Sequence, residues 1–227
     1  KILFQTFQRT YDDFEFVDAQ TCRSIVPPLT PETQGGIYTR RSGNANPQRT
    51  SQAFAWAFQD LGGEIREHTP VLEILAEGGR VKGVRTPQGE VHAASVVVCA
   101  GAHAAPLLAP LGLLFPVAPV RFDAFVTTPL PPLFEAALVV HGLAVRQTLR
   151  GNIHLNGGPH EWVEAGVAND MPKPVTPLVR NIARRLIEVF PGLRGAQMLR
   201  SWAGILDVTP DQATIVHAFD TPAGLIA

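Results

Sequence analysis

A run of very small residues follows a fully apolar segment of the chain. Valines at 96–98 lead into Cys99 and then Ala100, Gly101 and Ala102. Small side chains let a ligand approach the main chain, and a strand that turns into a helix offers unpaired N–H groups and the positive end of a helix dipole. This pattern predicts a seat for an anionic or electron-rich ligand. The same residues also fit a plain tight turn, for which Gly101 supplies the conformational freedom.

A second group of polar residues lies in the alternating segment AVRQTLRGNIHLNGG. Gln147 and His154 are candidates for polar contacts to a carboxylate or an amine, because a small zwitterion needs a few fixed polar groups in an apolar pocket. Arg121, in PVRFDAFV, is a third candidate. Each of the three also fits an ordinary hydrogen-bonded or solvated strand residue.

No metal site is expected. The seven histidines have no i, i+4 pair and no cysteine partner at ligand spacing. The two cysteines, Cys22 and Cys99, indicate reduced thiols and hence a cytoplasmic protein.

The charge balance and the hydropathy pattern exclude further classes. The net charge is -1, from 19 basic and 20 acidic residues that are interspersed, which argues against a nucleic-acid or anionic membrane partner. No apolar run approaches the roughly 18 residues of a transmembrane helix. With 45% hydrophobic residues, the 227-residue chain can bury a sizeable core.

The first third of the chain predicts a strand, a loop and a helix. Apolar and polar residues alternate from Ile2, CRSIVPPLTPETQGG is typical of a loop, and a helix is predicted from Pro47, with Asn46 as N-cap, to the stop at Gly62. Short extended runs follow: EIREH, VLEILAE, RVKGVRT and EVHAASVVVCAG. They predict a three-stranded antiparallel meander and then an apolar strand, Val96 to Cys99, in a sheet covered on both faces.

The second half predicts another sheet and a strong helix. A short helix is predicted over Ala104 to Leu111, and VRFDAFVTT, LAVRQTL and NIHLNGG are typical of strands. The later helix has Thr176 as N-cap and Pro177 in its first turn. Its predicted buried face comprises Val179, Ile182, Ala183, Leu186 and Phe190.

The order of these segments resembles a family of FAD-dependent enzymes. The segments SGNANPQRTSQAFAWAFQDLGGEI, HTPVLEI, GRVKGVRTPQGEVHAASVVVCAGAHA and RSWAGILDVTPDQATIV are similar to the family that contains glycine oxidase, D-amino-acid oxidase and sarcosine oxidase. The resemblance implies that Ala100, Gly101 and Ala102 lie against the FAD. It also implies that Val71 contacts the adenine through its main chain and that Gly204 lies near the cofactor.

The resemblance implies an α+β or α/β fold, with part of a Rossmann-like FAD-binding domain and its β-meander interleaved with a substrate domain on a large, mostly antiparallel sheet. It assigns residues 1–42 and 114–200 to the substrate domain and residues 43–113 and 201–227 to the FAD-binding domain. The family's Gly-rich fingerprint, G-x-G-x-x-G, is not found in this sequence. We therefore expect an internal part of a longer enzyme.

Two departures from the family pattern refine the implied function. Leu206 stands where glycine oxidases carry a carboxylate-binding arginine, which makes the segment more similar to β-type subunits of multi-subunit oxidases and implies a partner subunit. Pro47 stands where one branch has a histidine linked to flavin, so the expected FAD is non-covalent. The implied activity is oxidation of the C–N bond of a small amino acid or secondary amine. A non-catalytic binding or interaction module is the alternative, and an aromatic hydroxylase is a third hypothesis.

Overall fold

The computed structural model describes residues 13–163 and 172–227. The strand predicted from Ile2 begins outside the described residues. The chain divides into two compact units, which we call unit 1 and unit 2. The described residues of unit 1 are 13–46, 122–160 and 173–204, and those of unit 2 are 47–121, 161–163, 172 and 205–227. The assignment of substrate and cofactor domains along the chain stays a prediction.

The described residues form thirteen strands and four α-helices. The strands are β1 (Glu15–Asp18), β2 (Gly35–Tyr38), β3 (Glu73–Glu77), β4 (Arg80–Thr86), β5 (Gly89–His92), β6 (Val96–Val97), β7 (Ala118–Pro129), β8 (Leu138–Val140), β9 (Leu143–Gln147), β10 (Asn152–Gly157), β11 (Glu161–Trp162), β12 (Met198–Val208) and β13 (Leu225–Ile226). The α-helices are α1 (Ala19–Ile25), α2 (Pro47–Asp60), α3 (Ala104–Leu108) and α4 (Thr176–Val189).

An antiparallel sheet organises unit 1. The strand order is β7-β10-β9-β8, and β12 also pairs with β7. Because side chains alternate along a strand, Ile153 and Leu155 of β10 point to one face, where both are fully buried. That face packs against α4 in a cluster of twelve buried residues among those described: Val26, Phe125, Phe134, Leu143, Val145, Ile153, Leu155, Ile182, Leu186, Val189, Phe190 and Leu193.

Helix α4 confirms the predicted helix and most of its buried face. Ile182 and Phe190 are fully buried, and Val179 and Ala183 pack more loosely at the margin of the core. The predicted N-cap was wrong by one residue, because Thr176 is the first helical residue and Val175 is the cap. The cap is held instead by tertiary structure, since the N–H of Val175 donates to Oδ2 of Asp123 at 2.8 Å.

The loop predicted from Cys22 to Gly36 was wrong at both ends. Cys22 lies in α1, which begins after Asp18, and the carboxylate of Asp18 accepts a hydrogen bond from the N–H of Thr21 at 2.8 Å. This is a standard N-cap. The loop was predicted because of the prolines downstream, which do not prevent a helix from beginning after Asp18. Gly35 and Gly36 lie in β2, paired with β1, where a Cβ on Gly35 would come within 2.8 Å of the carbonyl oxygen of Val17.

Unit 2 contains the predicted meander. Strands β3, β4 and β5 form a three-stranded antiparallel sheet, which confirms that prediction. The segment EIREH is not a strand, and the sheet begins only at Glu73. A smaller buried cluster lies beside it: Ile74, Val81, Leu108, Leu225 and Ala227.

The strand after the meander is shorter and more open than its sequence predicts. Strand β6 has two residues and pairs in parallel with β13. The prediction of a sheet covered on both faces was wrong for the described residues, because the side chain of Val97 is 61% exposed. A run of apolar residues predicts a buried strand only if further elements cover both of its faces.

Candidate functional site

The turn after β6 keeps its main chain open, as its small residues suggest. Gly101 has φ +54, a left-handed conformation that favours glycine. Among the described residues, a Cβ placed on Gly101 would come within 4 Å of only the carboxylate of Asp207, with Oδ1 at 3.8 Å. Ala102 is buried and Ala100 is half-buried. No large side chain of the described residues fills this corner, so the residues present fit the close approach of a planar group.

The expected helix dipole contributes less than the sequence suggests. The chain leaves Gly101 in a single 3-10 turn, Gly101–His103, and α3 has only five residues. A macrodipole develops over a longer run of aligned peptide units. The accessible main chain at Ala100 and Gly101 is therefore the feature that this turn offers a ligand.

The other two predicted cofactor residues lie elsewhere. Val71 precedes β3 in unit 2, is 39% exposed, and its neighbour Leu72 donates its N–H to the carbonyl oxygen of Arg85 at 2.8 Å. Gly204 lies in β12 and belongs to unit 1, and no described atom lies within 4 Å of a Cβ placed on it. A cofactor role for Val71 and Gly204 stays a prediction.

Gln147 is engaged by the main chain around it. Its Oε1 accepts from the N–H groups of Leu133 at 2.7 Å and Phe134 at 3.4 Å, and its Nε2 donates to the carbonyl oxygens of Pro131 at 2.8 Å and Gly151 at 3.0 Å. These bonds fasten the segment after β7 to the end of β9. A substrate contact by Gln147 stays a prediction, and it would have to replace some of them.

Arg121 lies in an ion pair of unit 2. Its side chain is 14% exposed, and its Nη1 lies 3.4 Å from Oε2 of Glu161, the residue opposite it in the pairing of β7 with β11. A guanidinium this well buried needs a carboxylate partner, and Glu161 supplies one. A substrate contact by Arg121 likewise stays a prediction.

His154 lies on the face of the unit 1 sheet that points away from α4. In register, it faces Arg146 on β9 and Val126 on β7, and residues paired in this way point to the same face. Its imidazole lies beside the indole of Trp202 on β12, with ring centroids 5.3 Å apart and a tilt of 39°. The two rings form a half-buried aromatic floor on this face.

Two arginines flank this floor. The guanidinium of Arg200 lies over the ring of Trp202, with Cζ 5.2 Å from the centroid. Arg146 donates from Nη1 to the carbonyl oxygen of Ala45 at 2.9 Å. Among the described residues, no carboxylate forms an ion pair with either guanidinium. We call Arg146, His154, Arg200 and Trp202 the cationic cluster.

The cluster favours the neutral form of its histidine. Burial lowers the pKa of His154 below its ordinary value, and the positive charges of Arg146 and Arg200 lower it further. Neutral imidazole has one ring nitrogen that donates and one that accepts. His154 can therefore serve either a carboxylate or an amine.

The sequence-based candidates included His154 but not Arg200 or Trp202. Arg200 and Trp202 are two residues apart on β12 and so lie on the same face, a relation that follows from the strand period once β12 is known. Their proximity to His154 depends on the pairing of β12 with β7, which nothing in the local sequence predicts.

The structure gives two further results. Among residues 13–163 and 172–227, no group of three or more His, Cys, Asp or Glu side chains is placed to hold a metal ion. In the same part of the chain, no helix has both the length and the apolar character needed to cross a membrane.

The sequence matches the model of a protein family, DAO, described as FAD dependent oxidoreductase, over residues 2–227. The chain belongs to this family. Members match it under several names: the sarcosine oxidase subunit beta of Rhodobacter capsulatus is 28% identical over 196 residues, covering 85% of this chain and 46% of that protein. The D-amino acid dehydrogenase of Paramagnetospirillum magneticum is 30% identical over 210 residues, covering 87% of this chain and 47% of that protein.

Solved structures have the same fold. The L-proline dehydrogenase from P. horikoshii superposes with a TM-score of 0.85 at 24% identity, covering 94% of this chain and 57% of that one. The glycine oxidase from Geobacillus kaustophilus also has a TM-score of 0.85, at 23% identity, covering 99% of this chain and 60% of that one. These neighbours and the mixed helices and antiparallel sheets confirm the predicted fold class. The chain spans about half the length of the curated relatives it matches.

Proposed function

We propose that the protein is an FAD-dependent oxidoreductase that oxidises the C–N bond of a small amino acid or secondary amine. The observation that carries this proposal is the open main-chain corner at Gly101 in a chain that matches an FAD-dependent family over residues 2–227. Relatives named sarcosine oxidase subunit beta, D-amino acid dehydrogenase and glycine oxidase support substrates of the sarcosine, D-amino-acid and glycine types. Proline and opine substrates belong to the same chemical class.

In this proposal, the residues that hold the cofactor are Val71, Ala100, Gly101, Ala102 and Gly204. FAD held here would supply the hydride acceptor, so the protein itself needs to supply position and water exclusion rather than a nucleophile. Small side chains at 100–102 leave room for the cofactor against the peptide groups. The FAD is non-covalent, in keeping with a proline at 47.

The proposed substrate contacts are His154, Gln147 and Arg121. His154 is half-buried and its lowered pKa favours the neutral ring, which can donate to a carboxylate or accept from an amine. Gln147 and Arg121 stay in the proposal as polar groups near the ends of their strands, although both already have protein partners. His154 is therefore the contact we test first.

A partner subunit is also proposed. The support is the similarity to proteins named as beta subunits of sarcosine oxidase, from Rhodobacter capsulatus and from Arthrobacter. Purification of the native protein under mild conditions, followed by mass measurement of the assembly, tests it. A protein that purifies only as copies of itself would contradict this part of the proposal.

The cofactor site can be tested with a matched pair of glycines in unit 2. Gly101 has φ +54 and Gly112 has φ +74, and neither has a described atom closer than 3.8 Å to an added Cβ. A leucine at either position adopts a left-handed conformation that costs about 1 to 2 kcal/mol. We expect Gly101→Leu to weaken FAD binding at least tenfold, about 1.4 kcal/mol, and Gly112→Leu to leave it unchanged.

The measurement is a titration with FAD, followed by absorbance near ~450 nm, where a bound isoalloxazine absorbs. Bleaching of that band under anaerobic conditions then reports oxidation of sarcosine, glycine, proline or D-amino acids. A folded protein that stays colourless at saturating FAD would overturn the proposal and favour a non-catalytic binding module. Equal losses in the two leucine variants would remove Gly101 from the cofactor site.

A further inference from the structure

A carboxylate lies at the open corner beside Gly101. It belongs to Asp207, near the end of β12, and both residues are in unit 2. Its Oδ1 and Cγ lie 3.8 and 3.9 Å from a Cβ placed on Gly101. Apart from the neighbours of Gly101 in the chain, no other described atom lies within 4 Å of that point. Any group that rests on the peptide of Gly101 therefore lies beside the carboxylate of Asp207.

The fold of the described residues does not use this carboxylate. Asp207 is exposed, and within residues 13–163 and 172–227 it forms no ion pair and no hydrogen bond. Asp211, four residues later, behaves differently, because its Oδ1 accepts a hydrogen bond from the N–H of Ala213 at 3.1 Å. The carboxylate of Asp211 thus holds a turn, whereas that of Asp207 is available to a ligand.

An ionised carboxylate selects the kind of group that can lie beside it. Its oxygens only accept hydrogen bonds, so O–H and N–H groups pair with it well. A phosphate is also negative and also an acceptor, and the two charges repel each other. The chain leaves Gly101 in a 3-10 turn of three residues, whose dipole is too short to offset that repulsion. The corner therefore favours an uncharged donor group over a phosphate.

We propose that Asp207 is a cofactor contact: its carboxylate accepts a hydrogen bond from an O–H or N–H of FAD, so that an uncharged part of the cofactor, and not its diphosphate, lies on Gly101. This inference rests on the proposed function and deepens it. Gly101 provides the space for the cofactor, and Asp207 determines which part of the cofactor occupies that space.

The test is the affinity for FAD, measured by isothermal titration calorimetry. We expect Asp207→Ala to weaken FAD binding about tenfold or more, as for the loss of a hydrogen bond to a charged group. Asp207→Asn keeps an acceptor oxygen without the charge, so its loss should be smaller. The matched control is Asp220→Ala, which removes a carboxylate from another exposed position of unit 2 and should bind FAD as the unaltered protein does.

The phosphorus NMR spectrum of the FAD-loaded protein gives a second readout. The two phosphate signals of bound FAD should keep their chemical shifts in Asp207→Asn, because the diphosphate lies away from this side chain. Signals that move in Asp207→Asn but not in Asp220→Ala would place the diphosphate beside Asp207 and overturn the inference. Urea unfolding should give the same midpoint for both alanine variants, since both carboxylates are exposed.

The sign of the effect separates this inference from the proposed function. If Asp207→Ala binds FAD more tightly, the diphosphate lies on Gly101 and the inference is wrong. If Asp207→Ala and Asp220→Ala both bind FAD as the unaltered protein does, Asp207 is not a contact. In either case FAD still binds, so the proposed function stands. If the folded, unaltered protein binds no FAD, the proposed function is wrong and the inference falls with it.

Discussion

Two helices of the same length behave differently in the two units. Helices α2 and α4 each have 14 residues and a one-sided apolar face. Helix α4 of unit 1 buries Leu178, Ile182, Leu186 and Val189. Helix α2 of unit 2 buries none of its residues among those described, and its aromatic side chains are from 51% to 74% exposed at Phe58, Trp56 and Phe54.

This difference shows that helical periodicity predicts where a helix forms but not how much its apolar face stabilises the fold. The spacing of apolar residues fixes where a helix forms and which of its faces is apolar. The free energy gained from that face depends on a partner surface, at about 25 cal/mol for each Å² of apolar area removed from water. In unit 1 the sheet supplies that surface, whereas within the described part of unit 2 the face of α2 is open to solvent. The same apolar pattern therefore stabilises unit 1 through α4, whereas in the described part of unit 2 it forms an exposed surface on α2.

The largest expected effect is on the core of unit 1. Ile182→Ala removes a fully buried side chain from α4 and should lower the free energy of unfolding by about 2 to 5 kcal/mol. Phe54→Ala on α2 removes a larger side chain that is 74% exposed and should change it by no more than about 0.5 kcal/mol. Urea unfolding followed by circular dichroism measures both.

The comparison of Phe54→Ala with Ile182→Ala also tests whether the apolar face of α2 is exposed in solution. A cost for Phe54→Ala as large as that for Ile182→Ala would mean that the face of α2 is covered in solution, for example by another polypeptide. Unequal effects in the expected direction would establish that the two apolar faces differ in burial and not only in sequence.

A smaller effect is expected from polar contacts. Gln147→Leu in unit 1 leaves three carbonyl groups and two N–H groups of the main chain without the amide they share, and should cost about 1 to 3 kcal/mol. In unit 2, Arg85 pairs with Glu73 at 2.9 Å and Glu90 at 3.3 Å, with all three side chains substantially exposed. Arg85→Ala should therefore cost no more than about 1 kcal/mol.

The same unfolding experiment ranks these two variants. If Gln147→Leu leaves the free energy of unfolding unchanged, the amide of Gln147 does not stabilise the segment that follows β7. Such a result would return Gln147 to the set of side chains available for substrate.

The sequence predicted regular elements better than it predicted their environment. Helix α2 from Pro47, helix α4 and the meander were confirmed because capping, periodicity and turn chemistry are local signals. The coverage of Val97 was predicted wrongly because burial is decided by non-local partners. The loop prediction at Cys22 was wrong because Asp18, a capping residue, begins a helix that the prolines end only later.

The candidate site was predictable to a similar extent. The openness at Gly101 follows from small residues in sequence, and the structure has no large described side chain in that corner. The placement of Arg146, His154 and Trp202 together requires strand pairing across segments far apart in the chain. Long-range register of this kind leaves no signature in the spacing of residues, so Arg200 was missed.

The smallest effect that we predict is a pH dependence specific to unit 1. Burial, Arg146 and Arg200 all hold the pKa of His154 below its ordinary value, while the unfolded chain has the ordinary value of about 6.5. Below that pH the unfolded state binds a proton that the folded state does not, so folding stability should fall as the pH decreases through this window and level off below the folded-state pKa. Above it, His154 is neutral in both states and contributes no slope.

Urea unfolding at a series of pH values measures the pH dependence of folding stability, and an NMR titration of the His154 ring measures its pKa. His154→Gln should remove this part of the slope, and Arg200→Gln should raise the pKa of His154 towards the ordinary value, because one of the two charges that depress it is gone. Arg194→Gln, which removes an exposed charge of the same unit, should leave that pKa where it was. If Arg200→Gln left it unchanged as well, burial and the charge of Arg146 would account for the lowered pKa, and the argument that Arg200 acts on His154 would fail.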